Sequence, residues 1–158
     1  MEEIIQLNSG AKLSPHFTLG EMTKSSSHPE VYNIPSHEAI ANMKRLCGWL
    51  EVLRERYNEK YGVGEEPIRI NSGYRSPQLN KAIHGVAGSN HMTGCAADIR
   101  VCGMEQLIRY AVILLDYADE SKQDFDELLI ERNRYGAIWL HFAVRPANNR
   151  RKILFINA

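Results

Sequence analysis

The sequence predicts an α+β fold, and three observations carry that prediction. Two long segments repeat apolar residues at helical spacing, several short segments alternate faces as strands do, and a hairpin stands late in the chain. The length of 158 residues suits one domain, residues 1–158, with a core large enough to need no disulfide staples.

The elements follow in order. Residues 1–35 scatter Pro, Ser and His and read as an irregular N-terminal wrap, with room for one short helical turn in "FTLGEMTKSSS" (17–27). The clearest helix runs over 36–62. Ser36 follows Pro35 and suits the N-cap, Glu38 sits in the first turn, and Gly62 stops the helix. Ile40, Met43, Leu46, Cys47, Leu50, Leu53 and Tyr57 form its apolar face. "PIRI" (67–70) reads as a short strand, "NSGYRSP" (71–77) as a turn, and "QLNKAIHG" (78–85) as the opening of a short helix. "AADIRV" (96–101) alternates as a strand, and a second long helix spans 103–118, starting after Gly103. "FDELLIE" (125–131) and "AIWLHFAV" (137–144) are strands joined by "RNRYG" as a hairpin, and "KILFI" (152–156) is a last strand.

Composition removes several functions. Lys plus Arg equal Asp plus Glu at 19 each, so no net charge draws the chain to nucleic acid or an anionic membrane. No apolar run approaches the roughly 20 residues of a membrane helix. The N-terminus is acidic and lacks the apolar stretch of a secretory signal, so synthesis in the cytoplasm is expected. Three cysteines, Cys47, Cys95 and Cys102, are odd in number and form no C-x-x-C pair, so they read as packing residues.

Alternation along the strands gathers polar groups on one side. Ile138, Leu140, Phe142 and Val144 share an apolar face, which leaves Trp139, His141 and Ala143 opposite. Ala97, Ile99 and Val101 likewise oppose Asp98 and Arg100. Glu127, Leu129 and Glu131 share a face opposite Asp126, Leu128 and Ile130. In one sheet, His141, Asp98 and Glu131 can lie together on the face away from the core, with His91 reaching them through a turn at Gly94. The small residues Gly94, Cys95, Ala96 and Ala97 leave space for backbone and ligand to approach. Two His and one Asp suit a zinc ion held at about 2.0–2.2 Å, with a fourth position open. Glu131 is then the candidate general base. Taken alone, His91 also reads as an ordinary loop histidine, and Asp98 as a partner for Arg100.

"SGYRSPQLN" (72–80), "SNHMTGCAADI" (89–99) and "WLHFAV" (139–144) together resemble the zinc D-alanyl-D-alanine carboxypeptidase family, which includes phage endolysins. Ser89, His91, Gly94, Ala96 and Asp98 fit its Ser-x-His-x-x-Gly-x-Ala-x-Asp motif, and Trp139 and His141 fit its Trp-x-His motif. "FTLGEMTKS" and "FDELLIE" extend the resemblance over about residues 17–144. It implies zinc held by His91, Asp98 and His141. It implies a small, mainly antiparallel sheet with a zinc cleft on one face and helices on the other, as in hedgehog signalling domains. Arg75 would grip a substrate carboxylate or shape the cleft, a task its planar fork suits; the rival role is a turn-stabilising bond to backbone. Ser89 supports the His91 loop and Trp139 the strand that carries His141.

One position departs from the family pattern. Many members carry the catalytic acid three residues before the last histidine, where this chain has Ile138. Hedgehog-like relatives place a glutamate on the partner strand instead, which fits Glu131, with Glu127 as the fallback. The expected function is zinc-dependent hydrolysis of peptidoglycan stem peptides by a monomer, reaching the wall through phage lysis or on a phage particle. The missing acid also admits a second reading, a zinc-containing module that binds wall or protein without cutting.

Overall fold

The protein is described here by a computed structural model covering residues 9–25 and 27–158. The expectations for residues 1–8 and 26, including the start of the N-terminal wrap, lie outside the described residues. Among the described residues, twelve elements follow in order. Strands β1 (Lys12–Ser14) and β2 (Phe17–Thr18) lead into α1 (Leu19–Thr23) and the long helix α2 (His37–Tyr61). Strand β3 (Ile70–Ser72), helix α3 (Pro77–Ala82), a 3-10 turn (Asn90–Thr93) and β4 (Ala96–Arg100) come next. Helix α4 (Met104–Ser121) precedes β5 (Glu127–Arg132), β6 (Ile138–Ala143) and β7 (Lys152–Asn157).

The fold is α+β. The main sheet has five strands in the order β3-β4-β6-β5-β7. Every pairing is antiparallel except β5 with β7, which run parallel. The β5–β6 hairpin sets the register that matters: Leu129 faces His141, and Glu131 faces Trp139. On the other side of β6, Asp98 of β4 faces His141 directly. Adjacent strands thus put the Asp98, His141 and Glu131 side chains on one face.

The opposite face carries the core. Ala97, Ile99, Leu128, Leu140 and Phe142 are buried there against α2 and α4. Trp49 of α2 is the central wedge, with ring centroids 5.5 Å from Phe142, 6.4 Å from Phe125 and 4.9 Å from Tyr117 of α4. Such aromatic clusters add edge-to-face attraction to the burial of apolar area. Helix α2 starts as its sequence predicts, with Ser36 Oγ accepting from the Ala39 amide at 3.1 Å. Gly62 ends it in an extended conformation and donates to the Asn58 carbonyl at 3.1 Å.

Two expectations need correction. The strand expected over 67–70 lies at Ile70–Ser72, because the partner in β4 decides which residues pair: Ile70 with Ile99 and Ser72 with Asp98. Only the last residue of "PIRI" joins the ladder, although the Arg100 amide still donates to the Arg69 carbonyl at 2.9 Å. Within the segment expected to wrap irregularly, β1 and β2 pair antiparallel, while the short helical turn expected in 17–27 is α1, opened by a capping box between Thr18 and Glu21. The alternative partner for Asp98, Arg100, is exposed, and the arginine that pairs with Asp98 is Arg75.

Candidate metal centre

The site is assembled from a loop and two strands. The His91 loop begins at Ser89, whose Oγ accepts from the His91 amide at 3.1 Å. It ends at Gly94, in the left-handed region at φ +76 and so close to α2 that a Cβ there would meet the Ala39 carbonyl. Asn42 of α2 ties the same loop down, donating from Nδ2 to the Thr93 carbonyl at 2.9 Å. Strand β4 then delivers Asp98, and β6 delivers His141. Ala96, buried two residues before Asp98 on the same face of β4, adds only a methyl group beside it.

His91, Asp98 and His141 are all buried, and their donor atoms lie within 4.8 Å of one another. Asp98 Oδ1 is 3.3 Å from His91 Nε2 and 3.0 Å from His141 Nδ1. Each imidazole has its remaining nitrogen engaged elsewhere. His91 Nδ1 is 2.7 Å from the Gly73 carbonyl, and His141 Nε2 is 3.0 Å from Glu127 Oε1. A proton on each engaged nitrogen leaves His91 Nε2 and His141 Nδ1 with lone pairs facing the same point. The Gly73 carbonyl reaches His91 because Gly73 packs on Met22, where a Cβ would come within 2.5 Å of the Met22 carbonyl oxygen.

The charges fit a dication. Asp98 and Glu131 border the point, Glu127 lies behind the His141 ring, and Arg75 pairs with Asp98. Without metal, His141 must compensate. Burial alone would lower its pKa, but its bonds to Asp98 and Glu127 outweigh that and push it up to about 10. Burial opposes ionisation of Asp98, yet the two imidazoles hold its carboxyl far below the usual range. A divalent cation would replace the imidazolium proton and neutralise the same carboxylate. Two imidazoles and one carboxylate form a donor set suited to zinc with an open position.

The two glutamates of β5 have opposite environments. Burial and the Asp98 charge raise the Glu131 pKa, partly offset by His141 and by the Trp139 indole, whose Nε1–H donates to Oε2 at 2.6 Å. Glu131 Oε2 lies 4.0 Å from His141 Nδ1, on the donor side of the ring. The bond to His141 lowers the Glu127 pKa despite burial, and Glu127 sits at the ring's other nitrogen. Neighbouring carboxyls pushed apart in this way take different roles, with Glu131 suited to carry a proton and Glu127 to stay charged.

Arg75 closes one side of the centre. Its Nη2 donates to Asp98 Oδ2 at 3.2 Å, and its Nε donates to Ser72 Oγ at 3.1 Å. Its amide donates to the His91 carbonyl at 2.9 Å, so the arginine is tied to both ligand-bearing segments. Burial lowers its pKa, against the pull of Asp98 and Glu131. The loop that carries it is pinned by Asn33, whose Oδ1 accepts from the Ser76 amide at 2.6 Å and whose Nδ2 donates to the Tyr74 carbonyl at 3.0 Å.

These groups open into a cleft of about 730 Å³, lined also by Leu129, Trp139, Arg145 and Ile156. Every candidate from the sequence lies here: His91, Asp98, His141, Glu131, Arg75, Ser89 and Trp139. Sequence reasoning missed Gly73, Asn33 and Asn90. Asn90 had one signal, its place directly before His91. Cys95 is buried beside the loop, as expected of a packing residue.

Comparison with known proteins adds two findings. A family model described as Peptidase M15 matches residues 15–118. The chain is also 29% identical over 97 residues to the zinc D-Ala-D-Ala carboxypeptidase of Streptomyces albus G, an alignment covering 61% of this chain and 36% of that protein.

Proposed function

The chain belongs to the peptidase M15 family, and from that premise we propose that it is a zinc-dependent peptidase hydrolysing peptide bonds of bacterial cell-wall peptidoglycan. The observation that carries this reading is the convergence of His91, Asp98 and His141 on one buried point, each imidazole oriented by a bond at its other nitrogen. The similarity to a zinc D-Ala-D-Ala carboxypeptidase supports the metal and the substrate class, although the chain spans only about a third of that protein's length. Among the described residues, no helix is long and apolar enough to cross a membrane.

His91 Nε2, an Asp98 oxygen and His141 Nδ1 would hold the zinc. Bound there, zinc supplies a Lewis acid that polarises the scissile carbonyl and acidifies water. Glu131 accepts the proton of the attacking water and delivers it to the departing amine. Its raised pKa suits both halves of that task. Arg75 faces the cleft beside Asp98 and takes a substrate carboxylate with its remaining guanidinium donors. The chain works as a single catalytic domain and a monomer, in the manner of a lysis enzyme or a wall-trimming carboxypeptidase.

The test is digestion of purified peptidoglycan by the zinc-loaded protein, read by mass spectrometry. Release of free D-alanine identifies a carboxypeptidase, and new amino termini within cross-links identify an endopeptidase. Tight wall binding with no new termini contradicts the proposal and favours a binding module.

A further inference from the structure

Bringing three donor atoms together does not by itself explain the polar cluster on the far side of His141. His141 Nδ1 faces Asp98, whereas Nε2 faces Glu127 Oε1 at 3.0 Å. Asn90 Nδ2 donates to that same Glu127 oxygen at 2.6 Å and to Asp126 Oδ2 at 2.8 Å. The Asn90 side-chain oxygen Oδ1 accepts in turn from Arg145 Nε at 2.9 Å. Asp126 is fully buried, and Arg150 grips it with two bonds, Nε at 3.0 Å and Nη2 at 2.8 Å. A continuous chain of bonds therefore runs from the C-terminal segment through Asp126 and Asn90 to Glu127 and the His141 ring.

We propose that Glu127 and Asn90 are positioning residues for His141, with Glu127 fixing the tautomer and Asn90 fixing Glu127. This inference rests on the metal-site reading given above. A neutral imidazole carries one proton, and its position decides which nitrogen can ligate. A carboxylate at Nε2 holds the proton there, leaves the Nδ1 lone pair free and makes it more basic. Glu127 lies across the ring from the metal position, so it does not share the role of Glu131. Asn90 precedes His91 in the chain. A single loop thus presents one ligand directly and, through Glu127, sets the orientation of the other.

The test measures zinc affinity by chelator competition, with the fold of each variant checked by circular dichroism. Glu127→Ala should weaken zinc binding by about 10- to 100-fold. Glu127→Gln keeps an acceptor oxygen of the same reach and should lose less, and Asn90→Ala should fall between Glu127→Gln and wild type. Long-range ¹H–¹⁵N spectra of the zinc-loaded wild type should show His141 metallated at Nδ1 with a protected Nε2 proton. That proton should exchange rapidly in Glu127→Ala. A folded Glu127→Ala that binds zinc as tightly as wild type, or a His141 metallated at Nε2, overturns the inference alone. Failure of the wild type to bind zinc overturns the metal-site reading and this inference with it.

Discussion

Trp139 and Glu131 face each other across the β5–β6 hairpin, and the Trp139 indole donates to Glu131 Oε2 at 2.6 Å. This bond favours the charged carboxylate and so restrains a pKa that burial and Asp98 push upward. Trp139→Phe keeps an aromatic ring and removes the donor. The Glu131 pKa then rises further. A base must be deprotonated to act, so the acid limb of kcat/KM should move to higher pH. Zinc content should not change. An acid limb that stays in place shows that the indole does not tune the base.

Glu131→Gln separates chemistry from metal binding. The amide keeps the size and the acceptor for Trp139 but carries no proton between water and amine. Turnover should fall by about 10²–10⁴-fold with the zinc complement intact. Full activity in this variant would move the base elsewhere.

Arg75→Lys tests the forked contact. The guanidinium reaches Ser72 through Nε and Asp98 through Nη2 at the same time, which an ammonium on a flexible stem does not reproduce. For a substrate ending in a free carboxylate, KM should rise about tenfold or more, the order expected for a charge-assisted bond. The kcat should fall less. An unchanged KM assigns Arg75 to shaping the site rather than to holding substrate.

Asp126 gives a pH dependence of stability. Burial works against its charge, but Arg150 and Asn90 hold its folded pKa down to about 2, from an ordinary 3.8. A depressed folded pKa contributes stability that is fully present above pH 4 and is lost as the pH falls toward 2. The half-exposed Arg150 screens the interaction, so the contribution is about 1–2 kcal/mol. Urea denaturation of Asp126→Asn should show a lower stability at pH 7 and a flatter decline between pH 4 and pH 2 than wild type. Parallel declines would contradict this.

The sequence was most informative where periodicity forces the answer. Helix α2, its Ser36 cap and the inward face of β6 follow from spacing alone, because a one-residue slip would expose Leu140 and Phe142. Alternation likewise placed Asp98, His141 and Glu131 on one face. The N-terminal pairing of β1 with β2 and the shift of β3 were not legible, because short strands take their limits from partners distant in sequence. The parallel seating of β7 on β5 carries no local signal either. The Asn90, Asp126 and Arg150 cluster joins a turn, a strand entry and an irregular segment, and only tertiary contact brings those together. Glu127 was visible on the right face. Its place at Nε2 of His141, rather than at the metal, depends on ring orientation, which no spacing encodes.

Metal content is the most direct test. Wild-type protein and the variants His91→Ala, Asp98→Ala and His141→Ala should be loaded with zinc, dialysed and assayed by atomic absorption. About one zinc per chain in the wild type, and close to none in each folded variant, is the predicted result. A wild type that retains no zinc, or three variants that retain it in full, would contradict a metal centre built from two imidazoles and one carboxylate.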